Sequence, residues 1–68
     1  MNLSAKRLIK ILEANGFVLK RTRGSHHIFY NSATHTTVPV PLHSKDLKKG
    51  TFFGILKEAG IDKNNIED

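Results

Sequence analysis

The order of local signals in this chain predicts an α+β fold, α-β-β-β-α, with a three-stranded antiparallel sheet and both helices packed on one of its faces. Three observations carry that expectation. Two segments have helical periodicity, and each closes on a glycine followed by an apolar residue, Gly16-Phe17 and Gly60-Ile61. Between them lie three stretches rich in β-branched and aromatic residues. The links between those stretches, Gly24-Ser25 and Asn31 to His35, are short enough for hairpins, so the strands form a meander.

The first helix is predicted to start at Ser4, whose hydroxyl suits an N-cap. Ala5, Leu8, Ile9 and Leu12 then recur at helical spacing, with Ile11 beside them and Lys6 and Lys10 on the other side. Gly16 supplies the left-handed residue that ends the helix, and Phe17 packs back on Leu12. The first strand is read as "FVLKRTR" and the second as "HHIFYN" after the Gly24-Ser25 turn. The third, "TTVPVPL", contains Pro39 and Pro41. Proline donates nothing to a ladder, so this strand belongs at a sheet edge. Ser44 is expected to cap a short turn through Leu47 that Gly50 breaks. Thr51 is expected to cap the last helix, with Phe52, Phe53, Ile55, Leu56 and Ala59 on its apolar side. Gly60 ends that helix, and Asp62 caps one further turn.

Sixty-eight residues make one small domain over positions 1–68. A chain this short buries only ~60% of the surface its unfolded form exposes, enough for one thin core. Absence of cysteine removes disulfides, thiolate nucleophiles and zinc thiolates, and fits a reducing, cytoplasmic location. No apolar run approaches the ~20 residues of a membrane span. Ser4, Lys6, Arg7 and Lys10 interrupt any signal-peptide apolar stretch. The net charge of +5 points to a polyanionic partner, with nucleic acid the leading class. Ten of the eleven Lys and Arg precede Lys63, whereas Asp62, Glu67 and Asp68 crowd the tail.

Two places carry the chemistry. The first is "RTRGSHHIFYN", where His26 and His27 follow a glycine turn with Lys20, Arg21 and Arg23 close by. A metal site needs several ligands to converge, and the four histidines show neither helical i, i+4 spacing nor a carboxylate cluster, so no metal or other cofactor is expected. A strand histidine is more often a half-exposed filler than a catalyst. The basic context favours the second role, because histidine titrates near neutral pH and RNA supplies its own nucleophile in the 2′-hydroxyl. The second place is "KDLKKGT", where Lys45, Lys48 and Lys49 precede a helix N-terminus whose free N–H groups attract phosphate. Lysines decorating a loop explain it equally well. The α-β-β-β-α order tips the balance, since double-stranded-RNA-binding domains share it and contact phosphates at the start of the last helix.

The chain resembles the HicA family of bacterial toxin–antitoxin mRNA interferases over nearly its whole length. The resemblance rests on "LIKILEANGF", "RTRGSHHIF", "VPVPLH" and "LKKGTFFGILKEAGI". It implies a double-stranded-RNA-binding-like fold, ribosome-independent mRNA cleavage, and neutralisation by a HicB-like antitoxin. A basic pocket with one well-placed histidine can cleave RNA without a metal, and the excess positive charge around that pocket, taken with the resemblance, leads us to expect that the antitoxin covers the active site. The resemblance also implies a catalytic histidine in the Gly-Ser-His element, which falls on His26. Strand alternation agrees: with Phe29 facing the helices, His27 shares its side and His26 faces out, together with Ile28 and Tyr30. Lys20, Arg21, Arg23, Lys45, Lys48 and Lys49 are then the expected RNA-binding residues. A non-catalytic RNA-binding module of the same fold is the alternative, and His26→Ala separates the two.

Overall fold

The Ser4 hydroxyl accepts a hydrogen bond from the Arg7 amide at 3.1 Å, and α1 (Ala5–Ala14) begins at that cap. A computed structural model of the chain describes residues 2–42 and 45–66. At the other end of α1, Phe17 N–H reaches back to the Leu12 carbonyl at 3.0 Å and Gly16 N–H to Glu13 at 3.2 Å. Gly16 holds φ at +90°, which its missing Cβ permits. The last helix, α2 (Lys49–Glu58), closes the same way, with Ile61 N–H on the Leu56 carbonyl at 2.9 Å and Gly60 N–H on Lys57 at 3.0 Å. The short 3₁₀ turn η1 (Lys63–Asn65) follows, capped by Asp62, whose carboxylate accepts from the Asn64 amide at 2.9 Å.

Between the helices run β1 (Val18–Arg23), β2 (His26–Asn31) and β3 (Thr36–Pro41), antiparallel and in the order β1-β2-β3. The expected α-β-β-β-α order and antiparallel meander are therefore present. The Leu42 amide donates to the Ser25 carbonyl at 2.7 Å. By alternation along an antiparallel pair, Val40, Val38 and Thr36 turn their amides toward β2, and positions 41, 39 and 37 turn outward. Pro39 and Pro41 thus fall where no ladder donor is needed, on the edge strand the prolines predict.

Phe29, Val38 and Val40 of the sheet, Leu8 and Leu12 of α1, and Phe52 and Leu56 of α2 are fully buried in one core. Both helices therefore lie on the sheet face that carries Phe29, Val38 and Val40. Phe53 is half-buried and meets the Phe52 ring edge-on at 5.2 Å, as two adjacent helical positions require. The end of α1 is joined to the sheet by buried Asn31, which donates to the Asn15 carbonyl at 3.0 Å and accepts from the Ala33 amide at 2.9 Å. Among the described residues no helix is long and apolar enough to cross a membrane.

β1 begins one residue after the expected Phe17 and β3 ends one residue before the expected Leu42, and the start of the last helix differs more. Thr51 does not cap the last helix; α2 starts at Lys49, with Lys48 in the cap position, and Thr51 lies in its first turn. The reason is tertiary. Instead of forming a turn, Lys45–Leu47 runs extended beside Leu3–Ala5, bridging Ser4 to Asp46. Leu47 N–H bonds the Leu3 carbonyl at 2.9 Å, and the Leu47 side chain is buried. Pinned there, the chain turns into the helix directly and carries Gly50 within its first turn. The proposed Ser44 cap lies outside the described residues.

Candidate nucleic-acid interface

A two-residue turn joins β1 to β2, with Gly24 at φ +55°. It sets Arg23 directly opposite His26; Thr22 faces His27, and Arg21 faces Ile28. Across β2, His27 opposes buried Val40 and Phe29 opposes buried Val38. Opposed residues of a ladder share a face, so His27 and Phe29 point toward the helices. His27 is half-buried, its ring tilted 53° to that of Phe29 at 6.4 Å. His26, Arg21 and Arg23 are exposed on the opposite, open face, with Ile28 and Tyr30 beside them.

The two arginines share that face because β1 carries an irregularity. The pairing steps from Leu19 opposite Phe29 to Arg21 opposite Ile28, and Lys20 is the extra residue of a bulge. One inserted residue resets the period-2 alternation, so Arg21 and Arg23 emerge on the side of Val18 and Tyr30. The Lys20 ammonium lies 5.0 Å from the centroid of the Tyr30 ring, a cation–π contact over the same face. Lys20, Arg21, Arg23 and His26 thus form a contiguous basic patch.

The second basic group is at the start of α2. Lys45, Lys48 and Lys49 are exposed, among the described residues no side chain caps the helix start, and its first turn contains no carboxylate. Free N–H groups and the positive end of the helix dipole are therefore left for an anion. Lys45 follows Leu42 by three residues, a reach of at most about 11 Å. Leu42 bonds Ser25 of the turn, so Lys45 lies near the end of the sheet that carries the histidine patch. A hollow beside the helix start is lined by Lys49, Gly50, Phe53 and Lys63. Lys63 joins the basic group through the fold, although in sequence it sits with the acidic tail, and no local signal marks it.

Among the described residues, no three His, Cys, Asp or Glu side chains converge on a point that could hold a metal ion. His35 is at the far end of the sheet, its Nδ1 3.3 Å from the Tyr30 hydroxyl, and His43 lies outside the described residues. The sequence model of one protein family, described as "HicA toxin of bacterial toxin-antitoxin", matches residues 5–61. No curated protein matches the chain.

Proposed function

This chain belongs to the HicA toxin family of bacterial toxin–antitoxin systems, and on that premise we propose that it is a metal-independent, ribosome-independent endoribonuclease whose catalytic group is His26. The observation that carries the reading is the shared face of Arg21, Arg23 and His26. In RNA the 2′-oxygen attacks the adjacent phosphorus, a bond to that oxygen forms, and the bond to the 5′-oxygen breaks. His26 acts either as base for the 2′-hydroxyl or as acid for the departing 5′-oxygen. Arg21 and Arg23 hold the phosphate and offset the negative charge that grows on it. A single histidine does not serve both proton transfers at once. Water or a lysine takes the other, so turnover is slow.

Lys20 and the Lys45, Lys48 and Lys49 group bind flanking phosphates of the strand, the latter at the α2 N-terminus. A toxin of such a system is paired with an antitoxin. Here that partner is a HicB-like protein of acidic character that covers His26 and the surrounding cations, which blocks RNA without any change of shape in the toxin. The test is RNA cleavage in EDTA by the wild-type chain and by His26→Ala. Cleavage by the wild type alone supports the reading, and equal activity of the two proteins overturns it.

A further inference from the structure

The two edges of the sheet are treated differently. On β3 the outward positions hold Pro39 and Pro41, which blunt that edge. On β1 no proline removes an outward donor, and the edge is guarded only by the Lys20 bulge and the cations Lys20, Arg21 and Arg23. Since His27 and Phe29 direct their backbone groups to β3, His26, Ile28 and Tyr30 direct theirs to β1. Their partners Arg23, Arg21 and Val18 then bond inward, which leaves the amides of Thr22 and Leu19 pointing away from the sheet. Every residue of β1 is exposed, and among the described residues its only strand neighbour is β2. Val18 and Leu19 are 61% and 50% exposed, one on each face of the strand.

We propose that the outer edge of β1 receives an extended acidic strand of the antitoxin, which joins the sheet as a fourth strand; this rests on the antitoxin reading above. Main-chain hydrogen bonds to the outward amides and carbonyls give such a complex its affinity, and alternate side chains give it selectivity. Charge selects the occupant. Lys20, Arg21 and Arg23 lie within four consecutive positions of β1, so a second copy of this chain would set like charges side by side. The same three cations complement carboxylates on an incoming strand, and Val18 and Leu19 offer it apolar contacts. The charges thus repel a basic strand and attract an acidic one. A strand added there is two strand spacings, about 10 Å, from β2 and His26. Its carboxylates compete with RNA phosphates for Arg21 and Arg23, so docking and inhibition share one set of residues.

The decisive variant is Thr22→Pro. It removes one outward N–H and leaves the β1–β2 ladder whole, as Pro39 and Pro41 do on β3. The wild-type chain and variants are titrated with the antitoxin encoded with this toxin, and amide hydrogen exchange is followed in the wild-type complex. Thr22→Pro is expected to bind the antitoxin roughly tenfold or more weakly, while it still cleaves RNA and Thr22→Ala binds as the wild type does. The Leu19 and Thr22 amides are expected to exchange far more slowly in the complex than in the free toxin. Unchanged exchange at both amides overturns the proposal, as does wild-type affinity in Thr22→Pro. Should that variant fail to fold, the exchange measurement decides alone. A complex that inhibits cleavage without protecting β1 sinks strand addition but leaves the antitoxin reading standing. No complex at all removes both. Protection in the free toxin that rises with its concentration assigns the edge to a second copy instead.

Discussion

Arg23 and His26 are cross-strand partners on either side of the Gly24–Ser25 turn, on the sheet face that the helices leave open. Directly opposed residues have Cβ atoms about 5 Å apart, within reach of one bound phosphate. The hairpin thus sets an imidazole ring and a permanent cation side by side at the turn end of the sheet.

His26→Ala is expected to lower RNA cleavage by ~10²–10⁴-fold, the usual loss of one acid–base group. The thermal midpoint should stay near the wild-type value, because His26 is exposed. His27→Ala is expected to do the reverse. His27 packs against Phe29 on the helix side, so its loss lowers stability more than activity. Cleavage rates and melting curves of the two variants provide the comparison, and a folded, fully active His26→Ala protein would point to His27.

Changing Lys45, Lys48 and Lys49 together to Gln is expected to weaken RNA binding irrespective of sequence. For each phosphate of a single strand that the lysines no longer neutralise, the slope of log affinity against log salt falls by ~0.7. Binding measured across a salt series reads the slope directly. A wild-type slope would mean that these lysines only solvate the helix start.

Arg21→Glu with Arg23→Glu is expected to weaken RNA and antitoxin binding together, since both partners use the same cations. Antitoxin association should also slow and lose most of its dependence on salt. The accompanying competition experiment is direct: saturating antitoxin should abolish RNA binding, and unchanged RNA affinity would show that inhibition acts at a distance.

Two glycines are expected to respond oppositely to alanine. At Gly54, inside α2, an added Cβ meets nothing within 4 Å, so Gly54→Ala should stabilise by about 0.5–1 kcal/mol. At Gly16, φ is +90° and an added Cβ would come within 3.3 Å of the Asn31 amide nitrogen, so Gly16→Ala should destabilise by more than that. Chemical denaturation of both variants checks the pair of signs.

Much of the frame was legible in the residues. Ser4 and the pairs Gly16-Phe17 and Gly60-Ile61 mark helix ends through local hydrogen bonds that involve only near neighbours. The Gly24-Ser25 turn and the β2 limits follow from local turn chemistry. The prolines of β3 identify an edge strand because ring closure removes the donor wherever the strand lies. Period-2 alternation from Phe29 was enough to separate the faces of His26 and His27. The Thr51 cap failed because the burial of Leu47 and its bond to Leu3, contacts distant in sequence, outweighed the local preference of a hydroxyl for the cap.

Alone, then, the sequence determined the element order, the chain turns and the opposed orientation of two adjacent histidines, all of which depend on residues a few positions apart. Tertiary structure decided the bulge at Lys20, which turns Arg21 and Arg23 onto the face of His26. It also brought Lys63 to the start of α2 and left β1 exposed along its whole length. No local propensity specifies these features. A bulge is a property of the pairing between two strands, and exposure of a strand depends on where helices far away in sequence come to rest.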